Sequence, residues 1–242
     1  QSLFMQLRKA CNHPYLFPGA ETGFNGSTSE DLIEASGKLE VLDRLLVRLK
    51  NQGHRVVLFS QFTSMLDIMN DFLDLRGYKY CRLDGQTNRV QRAVDIAAFN
   101  RPNSPVFVYM LTTRAGGLGV NLQTADTCIL FDSDWNPQVD MQAMARVHRI
   151  GQTRNVHVYR LVTAGTVEER IQQRAEKKLF LDQMVNRGST AGAEAMEHLS
   201  KDELYAMLRF GADAVFKNDS GLPPSDAELD ALVDRTDEGE ER

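Results

Sequence analysis

Apolar and polar positions follow two different periods along this chain. After Ser36, a residue suited to cap a helix, leucines recur at three- and four-residue spacing. Residues 63–75 repeat this spacing. So do residues 166–185, where Thr166 and Glu169 have the spacing of a capping box. The pattern predicts amphipathic helices, each with one apolar face laid on a core.

Short runs rich in β-branched and aromatic residues lie between these helical patterns. The predicted strands are residues 55–59, 78–83, 106–111, 127–131 and 156–161. Strands that alternate with helices predict right-handed crossovers and an α/β fold, with a mainly parallel sheet covered on both faces. Ligands of such sheets gather at the carboxyl ends of the strands. Four segments follow predicted strands and are expected to share this rim: those at Ser60, Asp84, Thr112 and Asp132.

Further segments are predicted on either side of this core. The first helix is expected to end at His13, because Pro14 has no N–H to donate and disfavours helix in the residue before it. The predicted division of the chain is a helix and loop over residues 1–30, an α/β domain over 31–164, a long helix over 165–188, and an acidic, partly disordered C-terminal extension over 189–242.

Composition favours a soluble domain whose charge is distributed unevenly along the chain. The chain has 242 residues, and 42% are hydrophobic and 25% charged. The net charge of −5 is uneven, because residues 213–242 hold ten acidic and three basic side chains. Any contact with nucleic acid must therefore come from a local patch. No apolar run is long enough for a membrane span, and three cysteines without ligand spacing predict neither structural zinc nor a disulfide framework.

The strongest candidate for chemistry is the segment 142–152, which contains Arg146 and Arg149. If this segment is helical, residues three apart leave the same face, and both guanidiniums can converge on one anion. Two fixed, permanently charged groups suit a phosphoryl group whose charge grows in a transition state. The alternative is an ordinary solvated helix edge.

Three other features leave two interpretations open. The Gly-rich turn at 115–119 suits close approach of a phosphate to main-chain N–H groups, or only a tight connection. Trp135, the single tryptophan, is either a core residue or a stacking surface for a nucleic-acid strand. Asp67, Asp71 and Asp74 share one face of a predicted helix, which is either an ordinary solvated face or a dock for a basic peptide.

Seven ordered blocks carry a family resemblance: residues 36–39, 57–61, 80–87, 112–122, 131–138, 142–152 and 165–170. Together they resemble the second RecA-like lobe of superfamily-two helicases, specifically the Swi/Snf-type chromatin-remodelling ATPases. Residues 80–87, and more weakly residues 198–216, look most like the ISWI branch. The resemblance implies a RecA-like three-layer α/β/α fold with a C-terminal helical extension. It also implies that residues 1–30 end an inter-lobe insertion, that 165–188 form a brace helix, and that 189–242 are regulatory.

The resemblance also implies a composite ATP site. Arg146 and Arg149 would be arginine fingers that reach into a cleft formed with a first lobe, and Gln142 would lie near the γ-phosphate. Gly117 and Asn121 would contribute to nucleotide binding. The chain departs from the family pattern at Ala145, where an aspartate usually precedes the first finger, and this puts in question how rigidly Arg146 is held.

The remaining implied partners are macromolecular. Implied contacts to nucleosomal double-stranded DNA come from Ser60, Gln61, Gly85, Thr87, Thr113, Arg114 and Trp135. The face formed by Asp67, Asp71 and Asp74 would bind a basic histone tail. The first lobe of the same chain and possible accessory subunits complete the expected partners. The expected location is the nucleus.

The phosphate loop Gly-x-x-x-x-Gly-Lys-Thr and an Asp-Glu pair suited to Mg²⁺ do not occur in the sequence. ATP and Mg²⁺ are therefore expected to be held mainly by the first lobe, and this chain alone is expected to hydrolyse little or no ATP. Alternatives are the same motor in a CHD-type remodeller or a DNA-repair translocase, or a non-catalytic module that binds DNA or chromatin.

Overall fold

The computed structural model describes residues 3–21, 29–115, 119–185 and 223–236, with residues 180–185 as backbone only. The strands are β1 (Val56–Ser60), β2 (Tyr80–Leu83), β3 (Val108–Thr112), β4 (Thr127–Leu130) and β5 (His157–Arg160). The helices are α1 (Leu3–Asn12), α2 (Asp31–Glu34), α3 (Gly37–Asn51), α4 (Thr63–Leu75), α5 (Arg89–Asn100), α6 (Pro137–Met144), α7 (Val167–Val185) and α8 (Asp226–Val233). A short 3₁₀ helix (Pro14–Leu16) follows α1.

The five strands form one sheet in the order β2-β3-β1-β4-β5, and every neighbouring pair is parallel. The predicted α/β fold with a parallel sheet is confirmed. All residues of β1, β3 and β4 are buried, as expected for central strands covered on both faces. Most strands begin one or two residues later than the sequence predicts.

Two layers of helices cover the sheet. On one face, α3 and α4 pack their leucines, methionines and phenylalanine against Val56, Leu58 and Met110. On the other face, Phe99 of α5 and Ala143 of α6 pack among alternate residues of the same strands. Successive strand residues point to opposite faces, so each central strand contributes to both clusters. The predicted three-layer arrangement is confirmed.

A third apolar cluster joins the helices α1 and α7. Phe4 and Leu7 of α1 pack against Val167 and Ile171 of α7. The helix α1 ends at Asn12, near the predicted stop, and the 3₁₀ helix then begins at Pro14. None of the helices in the described ranges is long and apolar enough to cross a membrane.

The start of α7 differs from the predicted capping box. The hydroxyl of Thr166 accepts a hydrogen bond from the Glu168 N–H at 3.2 Å, and the Glu169 carboxylate accepts from the Gly165 N–H at 2.8 Å. The two bonds are therefore not reciprocal. The Glu168 side chain does not cap the helix; it is buried and forms an ion pair with Lys38.

A complete capping box occurs at α8, where Ser225 and Glu228 bond each other's backbone. This helix lies inside the acidic extension and was not predicted from the sequence. Leu229 and Val233 are buried, while Arg44 and Arg48 of α3 pair with Asp226 at 2.8 Å. The helix α8 therefore packs on α3.

Candidate functional site

The loops after the central strands meet at the carboxyl end of the sheet. The Ser60 hydroxyl donates to Asp132 Oδ2 at 2.6 Å, and the Gln61 N–H donates to Asp132 Oδ1 at 2.9 Å. The Thr113 N–H donates to the Ser60 carbonyl at 3.0 Å. The shared rim predicted for these segments is therefore present.

The rim places the predicted DNA-contact residues at different depths. Ser60 is fully buried and its hydroxyl donates to Asp132, so its predicted phosphate contact stays a prediction, one that would require the rim to rearrange. Gln61 and Thr113 each carry a buried polar side-chain atom without a hydrogen-bond partner. Gly85 and Arg114 are exposed. Gln61, Thr87 and Trp135 are half-buried, so Gly85 and Arg114 are the most exposed members of the predicted contact set.

Thr87 supports the turn that contains Gly85. Its hydroxyl accepts from the Asp84 N–H at 3.1 Å, and its own N–H donates to the Asp84 carbonyl at 3.2 Å. The Asp84 carboxylate accepts from the Gln86 N–H at 2.9 Å and is paired with Arg82. These bonds hold the exposed turn in one shape next to the start of α5.

Trp135 belongs to the apolar cluster that joins α1 to α7. The Phe4 ring meets it edge-on at 5.7 Å, and the Arg174 guanidinium lies 4.5 Å from the indole centroid. The indole is half-buried, so these contacts cover only part of it, and the core and stacking interpretations both stay open. The predicted stacking of Trp135 on DNA stays a prediction.

The two arginines of the segment 142–152 do not lie on a helix. The helix α6 ends at Met144, and Arg146 and Arg149 lie in the turns that follow. The helical spacing argument for their convergence is therefore wrong, although both side chains still border one recess of about 510 Å³. Gln142, in the last turn of α6, borders the same recess.

We call residues 145–152 the arginine loop. Val147 is fully buried and anchors it in the core beneath α6. The Gln152 side-chain amide donates to the Ala125 carbonyl at 2.7 Å and to the Val147 carbonyl at 3.3 Å. These anchors fix the middle and the end of the loop, and between them Arg149 is exposed.

The segment 119–123 lies against the arginine loop and is hydrogen-bonded to it. The Leu122 N–H donates to the Arg146 carbonyl at 3.1 Å. Asn121 is engaged with Gln123, through side-chain bonds of 3.2 Å in both directions, so its amide serves this support. Gly151 has a φ of +100°, and a Cβ there would lie 2.6 Å from the Gln123 amide oxygen. Gly117, the other predicted nucleotide contact, lies outside the described residues.

The electrostatics of the recess favour an anion. Within the part of the chain that the structure describes, neither Arg146 nor Arg149 forms an ion pair with a carboxylate. The Arg146 Nε atom is buried without a hydrogen-bond partner. Ala145 contributes only a methyl group to the recess, so no carboxylate neutralises the guanidiniums from this position. Two guanidiniums and the Gln142 amide can together donate to several phosphate oxygens.

The acidic face of α4 is present as predicted. Asp67, Asp71 and Asp74 are exposed, while the apolar side of the helix is buried against the sheet. Arg82 pairs with Asp67 at 2.7 Å, and the Tyr80 hydroxyl donates to Asp74 at 3.2 Å. Partial burial and the other two carboxylates raise the pKa of Asp71. The face therefore keeps negative charge after the local pairing with Arg82.

A buried polar cluster lies beneath the rim and was not predicted from the sequence. We call it the Lys38 network; its members are Asn12, Lys38, Asp132 and Glu168. Lys38 Nζ donates to Glu168 at 2.5 Å, to the Phe131 carbonyl at 2.8 Å and to the Asn12 side chain at 3.1 Å. Asn12 in turn donates to Asp132 at 3.1 Å. Burial raises the pKa of Asp132, and the Lys38 charge opposes that shift.

The sequence matches one helicase family model and is similar to several chromatin-remodelling proteins. The family model described as helicase conserved C-terminal domain matches residues 37–151. The ISWI chromatin-remodeling complex ATPase ISW2 of Saccharomyces cerevisiae is 52% identical over 232 residues, which cover 96% of this chain and 21% of the relative. The human SWI/SNF-related matrix-associated actin-dependent regulator of chromatin subfamily A member 1 is 53% identical over 235 residues, with 97% and 22% covered.

A solved structure shares the fold. The crystal structure of the C-terminal part of the Fun30 ATPase domain aligns with a TM-score of 0.61 and 29% sequence identity, over 88% of this chain and 62% of that one. This supports the three-layer RecA-like arrangement. The chain spans only about a fifth of the length of the two curated relatives named above.

Proposed function

We propose that this chain, which matches the helicase conserved C-terminal domain and is about half identical to ISWI and Swi/Snf chromatin-remodelling ATPases, is the second motor lobe of an ATP-dependent nucleosome-sliding enzyme that translocates on double-stranded DNA. The parent protein would be a DNA-dependent ATPase that works in the nucleus. Accessory subunits are compatible with this proposal.

The observation that carries the proposal is the arginine loop. Arg146 and Arg149 border an open recess, and the loop is held by the buried Val147 side chain and by the hydrogen bonds of Gln152. Guanidiniums held in this way suit the transition state of phosphoryl transfer, in which negative charge spreads over the γ-phosphate oxygens. A first lobe of the same parent chain would present ATP to them, and Gln142 would donate to a γ-phosphate oxygen or to the attacking water.

The residues present fit only part of a nucleotide site. The two arginines and the Gln142 amide suit phosphate oxygens. The described residues contain no group of three acidic, histidine or cysteine side chains that could hold a metal ion. We therefore assign the binding of Mg²⁺, which would neutralise phosphate charge, to the first lobe. This chain alone would then hydrolyse little or no ATP.

The DNA-facing surface would be the carboxyl rim of the sheet. Arg114 and Gly85 are exposed there, on the loops after β3 and β2. The buried side-chain atoms of Gln61 and Thr113 lack partners in this state, and an unpaired buried polar atom is costly. A phosphate backbone that reached the rim after local rearrangement would supply acceptors to both. Such contacts position a duplex without reading its sequence.

The acidic face of α4 would bind a basic histone tail. Its three aspartates are exposed and spaced along one helix side, and Arg82 pairs with only the first of them. A flexible basic segment can meet such a surface through exposed, salt-sensitive ion pairs. This contact would stimulate the motor without entering the nucleotide cleft.

The test is the DNA- and nucleosome-stimulated ATPase rate of the full parent chain with Arg149→Ala. We expect the rate to fall by about a thousandfold or more while DNA affinity is retained. Arg101→Ala is the matched control, because Arg101 is exposed near the opposite end of the sheet. An unchanged rate for Arg149→Ala would refute the finger assignment. An equal loss of DNA affinity would make the arginine a backbone clamp instead.

A further inference from the structure

The Lys38 network connects elements that are far apart in the sequence. The three acceptors of Lys38 Nζ come from the end of α1, from the residue after β4 and from the first turn of α7. The second carboxylate oxygen of Glu168 accepts from the Thr163 N–H at 3.0 Å, in the loop before α7. One ammonium group therefore sets the mutual position of α1, α7 and the sheet.

The far end of the network lies at the rim. Asn12 donates to Asp132, and the same carboxylate accepts from the Ser60 hydroxyl and the Gln61 N–H. Arg8 of α1 adds a bond of 2.8 Å to the carbonyl of Ser133, next to this carboxylate. A continuous path of hydrogen bonds thus runs from the start of α7 to the loop that carries the Gln61 side chain.

Stability alone does not account for a buried ion pair at this place. Lys38 and Glu168 are both less than 8% exposed, so each charge has lost most of its hydration. Apolar side chains of similar volume often give equal or greater stability than a buried pair. They would not, however, hold three separate elements in one register, whereas a charged group with three fixed acceptors does.

We propose that Lys38 and Glu168 are positioning residues that tie the base of α7 to the DNA-facing rim, so that DNA binding at the rim and the position of α7 are energetically coupled. This inference rests on the proposed function, because it assigns a regulatory link to the same DNA surface. Movement of α7 would pull on Lys38 and, through Asn12 and Asp132, on the loop at Gln61. By reciprocity, DNA seated at the rim would favour one position of α7.

The experiment measures DNA-stimulated ATPase of the full parent chain with Glu168→Gln. This change keeps the side-chain shape and removes the charge that faces Lys38. We expect the DNA concentration for half-maximal stimulation to rise about threefold to tenfold, while the maximal rate stays within about twofold. Glu169→Gln is the matched control, since Glu169 is the adjacent carboxylate and bonds the Gly165 N–H instead of Lys38. It is expected to leave both quantities unchanged.

A second substitution that interrupts the same hydrogen-bond path provides a test that does not rely on Glu168→Gln alone. Asn12→Leu interrupts the path between Lys38 and Asp132 and leaves the Lys38–Glu168 pair intact. It should raise the half-saturating DNA concentration to a similar extent, and it decides the question if Glu168→Gln fails to fold. In a combined variant the two shifts should not add, because both changes cut one path.

Three results would overturn the inference: unchanged DNA dependence in both variants, an equal shift in Glu169→Gln, or a loss of maximal rate that follows the loss of thermal stability. The last result would indicate a purely structural role. Arg149→Ala in the same assay separates this inference from the proposed function. If Arg149→Ala leaves the rate unchanged, the proposed function has failed; if it abolishes the rate while the network variants behave normally, only the coupling has failed.

Discussion

Gly151→Ala tests whether the shape of the arginine loop depends on the close contact between Gly151 and Gln123. Gly151 has a φ of +100°, outside the range that residues with a Cβ commonly adopt. The added Cβ would also lie 2.6 Å from the Gln123 amide oxygen. That oxygen accepts a hydrogen bond from Asn121, so a shift of Gln123 away from the new methyl group would disturb the support of the loop.

The expected cost has two separable parts. The unfavourable backbone conformation costs about 1–2 kcal/mol. The Gln123 side-chain end can move away at small steric cost, but the loss of its hydrogen bond from Asn121 adds about 0.5–1.5 kcal/mol. Gly77 provides the control, because its φ is +65° and a Cβ there meets nothing within 4 Å. Gly77→Ala should therefore show only the backbone part.

The assay is urea unfolding of the two variants, together with ATPase measurements on the parent chain. Gly151→Ala should lose about 1.5–3.5 kcal/mol of unfolding free energy, against about 1–2 kcal/mol for Gly77→Ala. Only Gly151→Ala should lower the ATPase rate, since only this glycine belongs to the arginine loop. Equal destabilisation of both variants, or a normal rate in Gly151→Ala, would refute the argued link between Gln123 and the arginines.

Three further predictions concern charge and domain composition. Burial raises the pKa of Asp140 to about 6, so between about pH 4 and pH 6 the folded state binds a proton that the unfolded state has released. The free energy of unfolding should therefore fall as pH rises through this range, by at most about 1.4 kcal/mol per pH unit. Asp140→Asn should flatten this slope in denaturation curves measured across the same range. Reversing the charges of Asp67, Asp71 and Asp74 together should weaken stimulation by a basic histone tail without changing the rate on DNA alone, and unchanged tail stimulation would exclude the proposed dock. The chain of residues 1–242 by itself should show ATPase activity near background, and robust turnover would contradict the two-lobe proposal.

The sheet was predictable because its central strands are buried on both faces and read as continuous apolar runs. Val56 to Ser60 is an example in which every position is buried. The rim followed from the same pattern, because parallel strands end at one edge. The acidic face of α4 was also readable, since period 3.6 separates its charges from its apolar positions.

The end of α6 was not predictable from local signals. Gly151 is the first strong stop signal after Met144, yet the helix ends seven residues earlier. The burial of Val147 and the bonds of Gln152 to the preceding segment are tertiary contacts, and these hold the turns. Helical periodicity therefore predicted that the two arginines lie close together, but in the structure turns held by tertiary contacts, not a helix, bring them to one recess.

The Lys38 network was missed because lysine is normally read as a surface residue. Its burial depends on acceptors from α1, from the residue after β4 and from α7, which no local window of sequence brings together. The helix α8 was missed for a different reason. Its capping box at Ser225 and Glu228 was readable, but the acidic composition around it favoured disorder.

The strand β5 lies beyond residue 151, where the match to the helicase C-terminal domain ends. It pairs with β4 along its whole length, and its Tyr159 hydroxyl donates to the Leu232 carbonyl of α8 at 3.0 Å. A chain cut at residue 151 would leave the fully buried β4 as a bare apolar edge, a template for sheet extension between molecules. The family boundary is therefore shorter than the folding unit, and soluble truncated proteins should retain β5 together with the segment that carries α8.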